Sequence, residues 1–384
     1  MCGCVAHKYA FVDCFDQTRR ELGKVIGWED MASTERAVTE ILSDCTDSDW
    51  NRIYAVDALA LPSQSSVWAH AICMTGGYEI KRRKYIFRDR TEAAISLFLK
   101  NRSFRPFHIH RSPPAAWGFG GPISTRPLNS EQLGVILDDC AGLPGAAVQI
   151  RPNPLAAGIW REAALSSGWT ALPRKAHVLD LDGGFDAVWN HRFLGRTRNH
   201  ARKAERQGIT VHSGSSADLV AEFDALFRMS ILRWARKQNE FSWLASLRGH
   251  IRDPKKKFLE MAQMCSDVVR VTIARRDGKA IAGIVVLFGN NAHYTRGAMD
   301  DQAVGNSGTN SLLHATAIRE ACERGCQYYH MGESGDSASL AAFKGQFVAV
   351  GYDYAEYRHE NLPILSADQT LRAMAKKVIG FRDV

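Results

Sequence analysis

The chain has 384 residues, 45% of them apolar and 23% charged, a balance that fits a soluble globular protein long enough for two cores. No run of about 18 apolar residues occurs, so no membrane span is expected, and the amino terminus (MCGCVAHKYAFVDC) lacks the charged start and apolar core of a signal peptide. Nine cysteines at scattered spacings argue against a disulfide framework and for reduced thiols in a cytoplasm.

The net charge is +8, and its placement matters more than its size. Between Asn190 and Lys257 stand 15 Lys or Arg against 6 Asp or Glu, so this segment alone (+9) carries the excess. Such a stripe is either a solvated helix face or a surface for a polyanion such as a nucleotide, a phosphorylated precursor or RNA. Cys2, Cys4 and His7 have no matching second pair of ligands, so no metal site is expected.

In chain order, residues 1–45 read as an extension without a core of its own, with a candidate helix over Thr34 to Leu42. Arg52 to Val56 reads as a strand, Ser65 to Cys73 as a helix, and Tyr78 to Phe87 and Ala93 to Leu99 as strands around a turn. Lys81 to Lys84 is a basic run within the first of these, read as a solvated edge. Phe107 to His110 is another short strand. Ser112 to Ile123 (SPPAAWGFGGPI), with three prolines and three glycines, cannot be regular structure. Helix Ser130 to Cys140, strand Ala147 to Ile150, helix Leu155 to Ser166 and strand Ala176 to Leu181 follow.

Asp182-Gly183-Gly184 is the best candidate boundary between two domains. Beyond it come a basic helix, His191 to Gln207, strand Ile209 to His212, a long helix from Asp218 to Lys237, and a helix over Lys255 to Met264. Asp277-Gly278 marks a hairpin between Val268 to Arg275 and Ile281 to Phe288. Strand His293 to Met299 leads into a small-residue loop, Gln302 to Gly308 (QAVGNSG), which opens a helix over Thr309 to Arg324. Strand Cys326 to Met331, a short helix reaching Lys344, and strand Val348 to Arg358 complete the unit. One more amphipathic helix lies within residues 364–384. Both halves end in strand, helix, strand, which points to a duplicated α/β unit.

That element order resembles the GNAT acyltransferase fold, and two such units in tandem resemble the Fem-type aminoacyltransferases and their relatives. The local matches are WGFGGPI (Trp117 to Ile123), QIRP (Gln149 to Pro152), the Arg-rich helix Arg196 to Gly208, DGKAIAGI (Asp277 to Ile284) and AFKGQF (Ala342 to Phe347). The resemblance spans residues 49–360. It implies an α/β (α+β) fold of two tandem GNAT-like domains, each a mixed central sheet flanked by helices. Residues 46–182 would form a degenerate first domain, 183–361 the second, carrying the acyl-transfer site, and 362–384 a helix packing back on them.

The implied activity is amide formation on an amine-bearing acceptor by an aminoacyl or acyl transferase that holds no bound cofactor. The implied donor co-substrate is aminoacyl-tRNA. Acyl-CoA is the alternative, although Ser307 stands where a CoA-binding loop has its second small residue. A second alternative is a non-catalytic RNA- or nucleotide-binding module on the same scaffold.

Direct attack of an amine on an activated ester needs a proton acceptor, a stabilised oxyanion and alignment, but no covalent nucleophile. Lys344, a lone cation in an apolar run, is the first candidate; the resemblance places it at the reacting carbonyl or a phosphate, with Phe343 against the acyl group. Glu333 and Asp336, at a strand end, are candidate bases or amine anchors. Arg233, Trp234 and Lys237 on the long helix, Tyr294 and Arg296 on one strand face, and Gly305 and Gly308 in the loop are candidate substrate-binding residues. Arg196, Arg202 and Arg206 are candidate tRNA contacts, with plain solvation as the competing reading.

Overall fold

The computed structural model describes residues 38–101, 107–335, 337–378 and 380–381. Its centre is one mixed sheet of thirteen strands: β1 (Val38–Leu42), β2 (Tyr78–Phe87), β3 (Glu92–Lys100), β4 (Ile109–Ser112), β5 (Ile123–Ser124), β6 (Ala147–Ile150), β7 (Thr170–Asp180), β8 (Thr210–Gly214), β9 (Val269–Arg276), β10 (Lys279–Phe288), β11 (Ala292–Met299), β12 (Tyr328–Glu333) and β13 (Val350–Glu360). The spatial order is β1-β2-β3-β4-β6-β13-β7-β12-β11-β10-β9-β8, with the short β5 on β3.

This order is a pseudo-repeat read inward from both ends. On one side β1 to β4 are antiparallel and β4 runs parallel to β6; on the other β8 to β11 are antiparallel and β11 runs parallel to β12. At the centre the halves exchange their last strands. β7, from the first half, pairs with β12, while β13, from the second, pairs with β6, and the two lie antiparallel over nine residue pairs. A chain cut near residue 182 therefore separates the two sequence repeats but not the two halves of the sheet.

Glu356 on β13 pins the exchange. Its buried carboxylate accepts from Gln149 Nε2 (2.5 Å), Arg151 Nη2 (2.6 Å), Arg358 Nη2 (2.8 Å) and Arg174 Nη2 (3.4 Å). Burial works against the charge, yet these guanidiniums hold the carboxyl down at about 2.

β3 and β10 are buried along nearly their whole length, because helices cover both sheet faces; that is why ISLFL and IAGIVVLF read as continuous apolar runs. The β9–β10 turn has Asp277 and Gly278 both at positive φ (50° and 75°), as a two-residue hairpin turn demands. The helices are α1 (Asp47–Val56), α2 (Ser66–Gly76), α3 (Ser130–Ala141), α4 (Ala157–Ser166), α5 (Gly195–Arg206), α6 (Ala217–Lys237), α7 (Ser242–Arg252), α8 (Lys255–Met264), α9 (Thr309–Glu323), α10 (Ala338–Gly345) and α11 (Ile364–Val378).

Three expectations are corrected. Arg52 to Val56 is not a strand but the end of α1, where the Thr46 side chain caps the helix and Trp50 and Ile53, three apart, enter the core. The described part of Thr34 to Leu42 is strand β1, not helix, because it pairs with β2. Lys81 to Lys84 is a solvated edge only at the exposed Lys81: Arg82 pairs with Asp47 (2.5 Å), Arg83 with Asp139 (2.6 Å), and Lys84, where β1 pairs with the strand, with Asp49 (2.9 Å) and Glu92 (2.8 Å). Cys2, Cys4 and His7 lie outside the described residues; among those described no cluster of metal-ligating side chains occurs.

Candidate active site

The parallel strands β11 and β12 pair at Ala292↔Tyr329 and His293↔His330 and then part. Gly332, at φ +71°, turns β12 away, and a Cβ there would sit 3.3 Å from the Tyr294 carbonyl. β12 shifts register against β7 at the same place, between His330 and Glu333. The opening lies between the carboxyl ends of two parallel strands, where α/β folds characteristically bind ligands.

Helix α10 aims Lys344 at this opening. Ser337 caps the helix by accepting from the Leu340 amide, and Lys344, in its last turn, is 2% exposed. Its Nζ donates to Gly332 O (2.9 Å) and Glu333 O (2.7 Å). Burial pushes its pKa down to about 7, while the Glu333 carboxylate opposes the fall. An ammonium has three donors, so one is left for a substrate oxygen.

Around it lies an aromatic wall. Phe343 and Phe347 pack edge to face at 5.4 Å, and His314 from α9 packs on Phe343 (5.6 Å), on Phe347 (5.4 Å) and against Tyr294 (4.7 Å). His314 shares a hydrogen bond with the Tyr329 hydroxyl (3.2 Å), and burial, with Lys344 nearby, lowers its pKa to about 3, so it is neutral.

The exchanged strand β7 brings His177 to the same place. Its Nε2 lies 3.0 Å from Ser334 Oγ, both side chains being buried. Burial, then Lys344 and Lys175, lower the His177 pKa, which leaves the ring neutral. The Ala349 carbonyl favours a proton on the ring without reaching hydrogen-bond geometry at Nδ1. With the proton on Nδ1, Nε2 accepts from the Ser334 hydroxyl.

The other candidates are placed as follows. Glu333 accepts from the Tyr354 hydroxyl and lies 4.0 Å from Arg151 Nε. Asp336 lies outside the described residues. Arg296 donates to Ala116 O (3.1 Å) and reaches buried Asp253 (3.4 Å), so it ties the 112–123 loop to the second half. Arg233 pairs with Asp301 (3.2 Å), Trp234 packs into the core beside Phe227, and Lys237 is exposed.

Gly305 and Gly308, at φ +47° and +84°, shape the loop before α9. The backbone of α5 presses onto it: a side chain at Gly308 would collide with the His200 carbonyl, and Lys203 Nζ donates to Asn306 O at 2.6 Å. Arg196, Arg202 and Arg206 project from the exposed face of α5, with Arg202 over the Trp189 ring at 5.7 Å.

Nothing in the sequence singles out His177, Ser334, His314 or Tyr354, and Arg151 is seen there only within the QIRP match. Each is a polar residue in a strand, a loop or a helix, and it is the strand exchange that brings His177 to the second-half site. Two spaces lie mainly in the first half, away from Lys344. One is an apolar cavity of about 310 Å³ lined by Leu59, Leu133, Ile159 and Trp160, the other a polar cleft of about 1030 Å³ along Asp44, His70 and Arg82. In the cleft, Arg82 is paired with Asp47 and Arg83 with Asp139.

Residues 191–344 match the family model described as an acetyltransferase (GNAT) domain. A UDP-N-acetylmuramoylpentapeptide-lysine N(6)-alanyltransferase of Weissella viridescens is 29% identical over 188 residues, 47% of this chain and 50% of the relative. The chain thus aligns with about half the length of that curated relative. Among solved structures, FemX superposes with a TM-score of 0.62 at 13% identity, covering 88% of this chain and all of FemX. A conserved protein of unknown function from Bacteroides thetaiotaomicron superposes at 0.50 and 10% identity, over 82% of this chain and 97% of that one. At these identities the superpositions speak to the fold alone.

Proposed function

We propose that this tandem GNAT-fold chain, related to the Fem-type transferases, moves an aminoacyl or acyl group onto an amine and forms an amide. The observation that carries the reading is Lys344, a buried lysine with one free donor at the opening between β11 and β12. The acceptor amine attacks the ester carbonyl; the C–N bond forms and the carbonyl oxygen becomes an oxyanion, which Lys344 stabilises. The amine proton passes to His177 Nε2 through Ser334 Oγ. The C–O bond then breaks, and the leaving oxygen takes the proton back from His177 through Ser334 Oγ, which restores the neutral ring. The aromatic wall of Phe343, Phe347 and His314 shields the reacting carbonyl from water.

Aminoacyl-tRNA is the proposed donor, in the cytoplasm, with a lysine-like amine of a cell-wall-type precursor as acceptor. The exposed arginines of α5 support it, as does the Weissella relative's named alanyl transfer to a precursor lysine. The contact of α5 with Gly308 also crowds the loop against which CoA pyrophosphate would lie. Acyl-CoA is the competing donor, since the same lysine would serve a thioester. Mass spectrometry of products made with charged tRNA or with acyl-CoA tests this: amide product from charged tRNA is expected, and product from acyl-CoA alone would overturn the donor assignment.

A further inference from the structure

Helix α7 buries Ala245 and Gly249, four residues apart. Its opposite face carries Trp243, Leu247 and Ile251, also four apart, at 67%, 51% and 74% exposure. Helix α11 likewise buries only Leu365 among its described residues and shows Leu371, Met374 and Val378 to solvent. The carboxyl-terminal part of α11 lies near α7: Arg248, Gly249 and Arg252 share a cavity with Lys376 and with Phe381 just beyond α11, and Asn239, just before α7, donates from Nδ2 to Gly380 O at 3.3 Å. Two neighbouring helices, each with an uncovered apolar stripe, make an interaction surface rather than scattered exposure.

Charge selects the occupant. Residues 236–260 hold seven Lys or Arg against three Asp or Glu, and residues 364–378 three against one, so these segments contribute +4 and +2 of the chain's +8. Two of the acids, Glu240 and Asp253, are buried and already paired with Arg248 and Arg252. Arg236, Lys255, Lys256 and Lys377 are exposed. A protein partner covering this patch would meet more charge than the core of an interface tolerates. RNA would answer the charge but leave Trp243, Leu247 and Ile251 without a role. Aliphatic and tryptophan side chains bordered by Lys and Arg are what a helix lying in a lipid interface presents, and acidic headgroups supply the opposite charge.

We propose that the α7–α11 face docks this protein on an anionic phospholipid surface. Docking would hold the transfer site beside a membrane, but it does not depend on that site's chemistry; a chain that formed no amide would still bind.

The test is co-sedimentation of the full chain with phosphatidylglycerol–phosphatidylcholine vesicles and with phosphatidylcholine vesicles alone. Binding to the acidic vesicles, weakened by salt, is expected. The combined variant Trp243→Ser, Leu247→Ser and Ile251→Ser changes exposed side chains only and should lower partition by about tenfold or more. Lys255→Gln with Lys256→Gln and Lys377→Gln should weaken binding to the acidic vesicles alone. Failure of the wild type to sediment with acidic vesicles overturns the proposal, as does vesicle binding that survives both variants. So does a loss of self-association or of RNA binding in these variants without a loss of vesicle binding.

Discussion

The two halves of the sheet share a topology and differ at one place. In the first half the parallel strands β4 and β6 stay paired at four successive positions, from Ile109↔Ala147 to Ser112↔Ile150, and a further bridge joins Gly120 to Pro152. In the second half the corresponding pair, β11 and β12, is joined at two positions and then opens. In the closed wedge Arg111 donates to Gln149, and Gln149 to Glu356. The open wedge holds Lys344, which carries a donor to spare. A duplicated fold supplies two possible sites, and the longer strand pairing is lost at the one that holds Lys344. The closed half is not idle, however. Its loop sets Phe119 against His293 (4.9 Å), His330 (6.1 Å) and Tyr354 (5.8 Å), and its last strand delivers His177.

The comparison can be broken first at the join. Glu356→Gln leaves three arginines facing a neutral group in the sheet centre and should destabilise the fold by about 3–5 kcal/mol, read from denaturant unfolding. Because the folded carboxyl is held at about 2, below its ordinary value of 4.5, its contribution is complete above 4.5 and lost as pH falls toward 2. The wild type should therefore lose stability over that interval, and the variant should lack this component.

Lys344 sharpens the contrast between the wedges. Lys344→Met should retain the fold and cut kcat by about 10²–10³, the cost of one oxyanion donor, and Lys344→Arg should rescue only part of it. A loss confined to KM would mean that Lys344 grips the substrate without acting in the transition state.

The pH profile follows from the same residue. Lys344 titrates at about 7, below its ordinary value of 10.5, so kcat/KM should fall as pH rises through neutrality and the ammonium is lost. The sign for stability is opposite. The unfolded chain binds this proton more tightly than the folded one, so stability rises between about 7 and 10.5. Thermal melts of Lys344→Met should show no such rise from this group.

The smallest expected effect is on α5. Replacing Arg196, Arg202 and Arg206 with Gln should flatten the salt dependence of tRNA binding by about 0.7–0.9 in log–log slope for each phosphate that is no longer neutralised. An unchanged slope would leave α5 a strut between the loop at Gly308 and solvent.

Much of the fold is legible in the sequence because its signals are local. The Asp277-Gly278 turn, the Gly305 and Gly308 loop and the apolar strand β10 each announce their own conformation. Arg52 to Val56 resembles a strand because its short β-rich run masks the Thr46 cap and the Trp50–Ile53 spacing that make it a helix. The Lys81 to Lys84 run looks solvated in sequence because its acidic partners, Asp47, Asp49, Glu92 and Asp139, arrive from other elements. The strand exchange has no local signature at all, since β7 and β13 pair across some 180 residues of sequence (Thr170↔Arg358). That is why Lys344 stands out from its apolar context alone, whereas His177, which is ordinary in its own strand, does not. Helix α7 is hard to see for a related reason: its apolar stripe faces outward, with no core to mark it.

The central claim is that acyl transfer takes place in the open wedge. A photoreactive aminoacyl-RNA analogue, cross-linked to the folded protein and mapped by peptide mass spectrometry, tests it most directly. Labelling is predicted on residues 294–299, 333–335 and 337–347, around Lys344. Labelling concentrated instead on residues 109–124 and 147–160, around the closed wedge, would contradict it.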